Sequence, residues 1–333
     1  MDKDCKKKEK MISVALCTYN GATYLQGQLD SIASQSLFPD ELIVCDDKSN
    51  DETMKILSKF ASSAPFFVRV EQNRHNLGAK MNFAQAISLC QGHYVALCDQ
   101  DDVWLSKKLE ILLSKMHKAE SQYGKQTPIL IHTDLRVVDS DCKLLASSFL
   151  KLNRIKHVEN NPLRTLVVQN FVTGCTAIIN RSLINVSLPI PRDAIIHDWW
   201  IALVAACRGR IVFVPEATVL YRQHRSNVVG TKGFFSLHNF LRLMALEQLD
   251  VSIGRLFMQN FALQKHLANL PGGKTPALLD EYLKAARKSG VAALRATVAN
   301  GIAKHGIIRN LIHYCLLVGG GYMNHLRKQS DSC

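Results

Sequence analysis

Several signatures are missing from these 333 residues, and each absence removes a class of protein. No run of eighteen apolar residues occurs, so no membrane-spanning helix is predicted. Ten cysteines are present, yet no two stand as C-x-x-C, and Cys17, Cys45, Cys90, Cys98 and Cys175 lie inside apolar runs. Such cysteines read as small buried hydrophobes of a reducing compartment, not as a disulfide framework or a zinc site. The first ten residues are charged and lack the long apolar segment of a signal peptide, so a cytosolic protein is expected. No Gly-x-Gly-x-x-Gly follows the first apolar strand and no Gly-x-x-x-x-Gly-Lys-Ser/Thr occurs. A nicotinamide dehydrogenase and a P-loop enzyme are thereby disfavoured. Internal repeats and low-complexity tracts are absent too.

What is present is ordinary in bulk and uneven in charge. Hydrophobic content of 47% and charged content of 21% fit a globular chain long enough for one large domain and an appendage. The net charge of +13 is concentrated late. Residues 1–230 carry 28 Lys/Arg against 23 Asp/Glu, whereas residues 231–333 carry 13 against 5. A basic helical tail suits an anionic membrane surface or another polyanion, and a plainly solvated basic face explains it as well.

Residues 11–100 alternate strand and helix patterns over short connections. Strands are predicted at 12–17, 42–45, 66–70 and 93–98, with helices at 22–35, 53–60 and 79–90. Such alternation implies an α/β fold with a parallel sheet covered on both faces and ligands outside the carboxyl ends of the strands. The polar clusters fall at those ends. Thr18-Tyr19-Asn20 follows the first strand, Asp46-Asp47 the second and Asp99-Gln100-Asp101-Asp102 the fourth. Further on, a helix is expected from Trp104 to about Glu120, strands at 129–132 and 176–179, and a helix at 198–207. Two short strands at 211–214 and 218–221 would be joined by Pro215-Glu216. After Gly230 the pattern is helical, broken at 271–273 and 319–321, and residues 234–249 carry an apolar stripe beside basic residues. The expected divisions are a charged tail (1–10), a domain at 11–230 with halves 11–103 and 104–230, and a basic helical region (231–333).

Three carboxylates at the end of a buried strand repel one another. A divalent cation with a phosphate ligand among them removes that cost, since Mg²⁺ takes one or two carboxylates plus substrate phosphates. A helix start accounts for one such Asp but not for three. The turn at Asp46-Asp47-Lys48-Ser49 has a plain reading as a turn and helix cap. Asp198 reads equally as an N-cap of the helix after it. Trp199 and Trp200 are large aromatics on a helix, more often core than a sugar platform. His132, His157 and His197 lack metal-ligand spacing and are expected to be structural.

Seven segments in order resemble the family 2 glycosyltransferases of GT-A fold. They are Val14-Ala-Leu-Cys-Thr-Tyr-Asn-Gly21, Val44-Cys-Asp-Asp-Lys-Ser49, Asn73-Arg-His-Asn-Leu-Gly78 with Asn82, and Cys98-Asp-Gln-Asp-Asp-Val-Trp104. Gly174-Cys-Thr-Ala177, Ile196-His-Asp-Trp-Trp200 and Tyr221-Arg-Gln-His224 complete the set, the last two being most like the bacterial rhamnosyltransferase branch. The resemblance implies a mixed, mostly parallel sheet flanked by helices with a C-terminal helical extension. It implies an inverting transferase, dependent on Mg²⁺ or Mn²⁺, that moves a sugar from a nucleotide diphosphate to a glycan or lipid-linked acceptor in bacterial surface polysaccharide (O-antigen, capsule) synthesis. Rhamnose from dTDP-rhamnose is the first candidate, and a UDP-hexose or UDP-N-acetylhexosamine the alternative.

Residue by residue, it implies nucleotide contacts from Thr18, Tyr19, Asn20, Asp46, Asn76, Lys80 and Asp99. Asp101 would hold the metal, joined by His224. Asp102 either orients that ligand or shares it, and the motif leaves the two roles open. Asp198 falls at the position of the general base, although His197 stands where many relatives have Glu. Asp102, Thr173, Gly174, Trp199 and Trp200 are further candidates for donor or acceptor contact. Transfer to a polyprenyl phosphate usually comes with membrane spans, which are missing here. A nucleotidyltransferase lacks its basic glycine loop near residue 20. The non-enzymatic alternative is a silent GT-A-like scaffold on a membrane or polyanion. The resemblance implies no nucleic-acid partner. Peripheral contact with the inner face of the plasma membrane and a homodimer contact are further expectations for the C-terminal region.

Overall fold

A computed structural model describes residues 11–224, 246–324 and 326, so the tail at 1–10, the boundary at 230 and the stripe at 234–245 lie outside the described residues. Among the described residues no helix is long and apolar enough to cross a membrane.

The chain divides into two compact units that interleave along the sequence. The first takes the described residues up to Arg136, Gly174–Leu188 and Val212–Tyr221. The second takes Val137–Thr173, Pro189–Ile211 and the described residues from Arg222 on.

The first unit opens with β1 (Ile12–Thr18), α1 (Ala22–Ala33), β2 (Glu41–Asp46), α2 (Thr53–Ser63), β3 (Phe67–Gln72), α3 (Ala79–Leu89) and β4 (Tyr94–Cys98). β1 pairs in parallel with both β2 and β4, and β2 with β3. Every residue of β1, β2 and β4 is buried, as near-continuous apolar strands require when both faces are covered. β3 alternates in exposure because it forms the edge. The polar ends of β1, β2 and β4 therefore meet along one carboxyl edge.

The chain continues through β5 (Val103–Trp104), α4 (Lys108–Tyr123), β6 (Ile129–Val138) and β7 (Leu144–Ala146). Two short turns of helix follow, α5 (Phe149–Leu152) and α6 (Leu163–Leu166), then β8 (Ala177–Asn180) and α7 (Arg181–Ser187). β8 runs antiparallel to β4 and β6, so the sheet is mixed, in the order β3-β2-β1-β4-β8-β6-β9-β5. The final strand in that order to be introduced is β9 (Arg210–Arg222), preceded in sequence by α8 (His197–Arg208).

Two expectations are corrected. The helix predicted from Trp104 starts only at Lys108, because Val103 and Trp104 pair with Leu220 and Val219. The two strands expected at 211–214 and 218–221 are one strand of 13 residues. Pro215 and Glu216 sit exposed within it, where a missing N–H is tolerated better than at a buried, paired position.

The second unit holds β7 against the end of β6, α8, and the helices α9 (Leu246–Asn269), α10 (Ala277–Lys288), α11 (Gly290–Ala299) and α12 (Ile307–Gly319). Phe257 of α9 packs on Tyr282 of α10 and on Tyr322, with ring centroids 5.1 and 4.7 Å apart. The break expected at 319–321 is real: Gly320 ends α12 with φ +68°, a left-handed conformation that glycine adopts without steric cost.

Candidate functional site

The carboxyl edge of the first unit is organised by two adjacent aspartates with different partners. Asp46, fully buried, accepts from Thr18 Oγ1 (2.8 Å), Ser49 Oγ (2.5 Å), Ser49 N (2.9 Å) and Gln72 Nε2 (3.1 Å). It thus ties the end of β1 to the turn after β2. Asn20 is held in a left-handed conformation, φ +48°, which Asn tolerates better than most residues. Its N–H donates to Ser49 Oγ at 2.8 Å, and its Oδ1 accepts from Asn50 N at 2.9 Å. Tyr19 is left about half exposed. Thr18, Asn20 and Asp46 therefore form one hydrogen-bonded corner with Tyr19 on its rim.

Asp47, which sequence reasoning did not single out, braces the next corner. Its buried carboxylate accepts from Asn73 Nδ2 (2.9 Å), Leu77 N (2.7 Å) and Gly78 N (2.8 Å). Those bonds fix the loop that carries Asn76 and leads into α3, whose first turn holds Lys80. Asn82 is structural: it accepts from Asn73 and donates to the Cys45 carbonyl at 2.8 Å.

The acidic stretch after β4 is clamped to the first corner by Gln100. Its Oε1 accepts from Tyr19 N at 2.8 Å, and its Nε2 donates to the Tyr19 carbonyl at 3.1 Å. Gly21 makes room for this clamp, since a Cβ there would lie 2.1 Å from Gln100 Oε1. Within the stretch the structure draws Asp99 and Asp102 together with Cys175. One ligand atom from each lies within 4.8 Å of the others, and Asp101 is not part of that group. Asp102 is fully buried, whereas Asp99 and Asp101 are partly exposed.

The donor chemistry fits a hard divalent cation through the two carboxylates. Cys175 fits it poorly as a ligand. Sulfur is a soft donor, which suits Zn²⁺ or Cu⁺ better than Mg²⁺ or Mn²⁺, and burial, with the charges of Asp102 and Asp99, raises its thiol pKa well above the usual range. A second unforeseen neighbour is Lys108, at the start of α4 and fully buried. Its ammonium donates to the Cys175 carbonyl and stands 3.8 Å over the Trp104 ring. Burial lowers its pKa to about 8, against the opposing pull of Cys175, Cys98, Asp102 and Asp99. No pattern in the sequence marked Lys108.

In the second unit, Asp198 occupies the first turn of α8 and is 9% exposed. Ile196, not Asp198, is the N-cap. Asp198 Oδ1 accepts from Trp199 N at 2.6 Å and from Asn170 Nδ2 at 3.2 Å, and Asn170 Oδ1 in turn accepts from Val172 N at 3.0 Å. Asn170 was not foreseen either. A negative charge in the first turn of a helix is stabilised by the helix dipole. His197 is buried, and desolvation lowers its pKa to about 3, so the ring beside Asp198 is neutral.

Trp200 is corrected: fully buried and packed edge-on against His266 at 5.2 Å, it is core and offers no face to a sugar. Trp199 is partly exposed, with its indole N–H fixed on the Leu166 carbonyl at 2.7 Å. Thr173 is partly exposed, Gly174 buried in a single 3₁₀ turn, and His224 partly exposed just after β9. His132 is buried against Phe213 and His157 stacks edge-on to Phe171, in keeping with structural roles.

Three likenesses bear on this arrangement. An uncharacterised protein of Mycobacterium tuberculosis is 28% identical over 218 residues, which is 65% of this chain and 60% of that protein. The chain thus spans about three fifths of that relative's length. The dTDP-rhamnosyl transferase RfbG of Shigella flexneri is 26% identical over 233 residues, covering 66% of this chain and 75% of RfbG. Among solved structures, S. aureus TarS 1-349 in complex with UDP-GlcNAc superposes with a TM-score of 0.54 at 18% identity. That match covers 96% of this chain and 92% of TarS 1-349, a likeness of fold. The family model described as "Glycosyl transferase family 2" matches residues 13–186, more than half of the chain. With its GT-A architecture and ordered strand-end motifs, the chain belongs to glycosyl transferase family 2.

Proposed function

We propose that this protein is an inverting, metal-dependent glycosyltransferase that uses a nucleotide-diphospho-sugar, with dTDP-rhamnose the favoured donor. The observation that carries the reading is the single carboxyl edge. There Gln100 links the Thr18–Asn20–Asp46 corner to the stretch bearing the Asp99–Asp102 pair, and Asp47 braces the adjoining Asn76–Lys80 loop. The rhamnose preference rests on the likeness to RfbG and on the Asp198 and Tyr221–His224 segments.

In this reading the first corner and Asn76 and Lys80 receive the base and ribose end of the donor. Asp99 and Asp102 would hold Mg²⁺ or Mn²⁺ at the diphosphate, with Asp101 and His224 as further contributors. When bound, the cation neutralises charge developing on the leaving diphosphate. Lys108 keeps the acidic pair from facing buried, uncompensated charge. Asp198 takes the proton of the acceptor hydroxyl as that oxygen attacks the anomeric carbon. Asn170 and the Trp199 N–H both donate to one of its oxygens, which orients the carboxylate for that role. A glycan or lipid-linked acceptor of surface polysaccharide and a cytoplasmic setting go with this reading, the latter supported by the free cysteines.

A thermal-shift panel of dTDP, UDP, GDP and ADP, each with and without Mg²⁺ or Mn²⁺, tests it. Stabilisation by pyrimidine diphosphates that increases with metal is expected, because a ligand that binds only the fold stabilises it in proportion to its affinity. Stabilisation by the purine nucleotides alone would overturn the reading.

A further inference from the structure

α9 lies beyond the matched family region, which ends at residue 186, yet it reaches both segments that surround Asp198. Two neighbouring amides on it, Gln259 and Asn260, are fully buried. Gln259 Oε1 accepts from Ile195 N at 2.8 Å, next to the N-cap of α8 and just ahead of Asp198. Asn260 Nδ2 donates to the Val167 carbonyl at 2.8 Å, at the end of α6. That second segment meets Asp198 and its neighbour directly. The Leu166 carbonyl takes the Trp199 indole N–H, and Asn170 donates to Asp198 Oδ1. The chain after α11 adds two more ties to the same segment. Ala303 N donates to the Arg164 carbonyl at 3.3 Å, and His305 N to Gln169 Oε1 at 2.7 Å.

Each amide commits one half to a loop. Among the described residues, neither of the other halves, Gln259 Nε2 and Asn260 Oδ1, has a hydrogen-bond partner. Burying such atoms is costly, and an apolar side chain of similar shape would pack α9 without that cost. The buried positions around them, Ile253, Leu256, Phe257, Leu263 and Leu267, are indeed apolar. Packing therefore does not call for two amides here. Their bonds to Ile195 and Val167 do, since those backbone groups lie outside the regular ladders and need partners.

We propose that Gln259 and Asn260 are positioning residues for Asp198. Gln259 sets the start of α8, and Asn260 sets the segment that carries Asn170, so the two contacts on Asp198 Oδ1 are held from both sides. The assignment rests on the transferase reading in which Asp198 is the base. A reacting group must be held to within about 0.5 Å, and a displacement of about 1 Å far from the chemistry can cost about 100-fold in rate. The role of this part of the C-terminal region is thus to keep the carboxylate where an acceptor hydroxyl meets it.

The test compares Gln259→Met and Asn260→Leu, which keep the size and lose the bond, with Phe257→Leu, which loosens the same helix against Tyr282 and Tyr322. In the full chain, dTDP release from dTDP-rhamnose with Mn²⁺, water serving as acceptor, gives kcat and KM. In the same proteins ¹⁵N NMR reads the Trp199 indole N–H without any turnover. Each amide substitution should lower kcat about 10- to 100-fold and leave the donor KM within about twofold. The Trp199 indole signal should shift and exchange faster in Asn260→Leu, because the Leu166 carbonyl that it bonds adjoins Val167. Phe257→Leu should lower the melting temperature and leave kcat and that signal unchanged. Added to Asp198→Asn, neither amide substitution should lower the remaining rate further, since nothing is left to position. Unchanged kcat in both amide variants, an equal loss in Phe257→Leu, or a full further loss on top of Asp198→Asn would overturn the proposal. So would an unmoved Trp199 signal in Asn260→Leu. Near-normal turnover in Asp198→Asn would instead overturn the reading of Asp198 as the base, and the Trp199 signal would still decide whether Asn260 holds this segment.

Discussion

Asp47 offers the sharpest test of how the candidate site is built. Its Oδ2 accepts from Gly78 N, while its Oδ1 accepts from Leu77 N and Asn73 Nδ2. Asp47→Asn keeps the shape and the Oδ1 acceptor, but it turns an NH₂ toward the Gly78 N–H, or toward Leu77 and Asn73 if the amide flips. Either orientation sets donor against donor. A hydrogen bond to a charged group is worth about 1.5–3 kcal/mol, and a buried group left unsatisfied costs about the same. The opening free energy of the 73–80 loop should therefore fall by about 1.5–3 kcal/mol. Amide exchange at Leu77 and Gly78 should then accelerate about 10- to 150-fold, each 1.4 kcal/mol being a factor of ten. Asp47→Ala removes all three bonds and should cost more than Asp47→Asn. Hydrogen exchange measured residue by residue reads the effect locally, so it does not require the two units to unfold together. Nucleotide-diphosphate affinity should fall in both variants, because Asn76 and Lys80 ride on this loop. Unchanged exchange at Leu77 and Gly78 in Asp47→Ala would refute the reasoning.

Three further outcomes are expected. Asp198→Asn should cut turnover about 10²–10⁴-fold, the usual worth of a general base, while donor binding measured by calorimetry survives; near-normal turnover would remove Asp198 from the chemistry. Divalent-metal affinity should fall sharply in Asp99→Asn and Asp102→Asn and much less in Asp101→Asn, and Mn²⁺ titration giving the reverse order would show the grouping at Cys175 to be irrelevant. Acid should destabilise the fold through His197 and His313, whose pKa values burial lowers from 6.5 to about 3. A depressed histidine pKa means the fold holds the neutral ring, so stability is intact above pH 6.5 and is lost as pH falls toward 3. Between about pH 7.5 and about pH 5.5 the loss is about 1.4 kcal/mol for each ring, or about 2.7 for both. Denaturant midpoints that do not move over that interval would contradict it.

The sequence carried the first unit well because its information is local. Buried parallel strands read as apolar runs, and the polar residues that end them stand next to them in the chain, so Thr18, Asn20, Asp46 and Asp99 were legible from position alone. The errors arose where pairing overrode local pattern. Val103 and Trp104 look like a helix start until β9 supplies a partner strand, and β9 itself passes through Pro215 where the sequence marks a turn. Trp200 could not be separated from Trp199 by composition; only packing against His266 shows which of the two is core.

The order of short motifs, read by itself, determined the fold class, the strand-end position of the candidate site residues and the kinship to family 2, because each depends on neighbours in the chain. Tertiary structure alone decided which carboxylates cluster. Asp99 and Asp102 gather with Cys175, and Lys108 reaches the Cys175 carbonyl from a segment 67 residues away. It likewise decided that Gln100 clamps Tyr19 across 81 residues and that Asn170 holds Asp198. Contacts of that range follow from how strands and helices pack. No spacing along the chain encodes them.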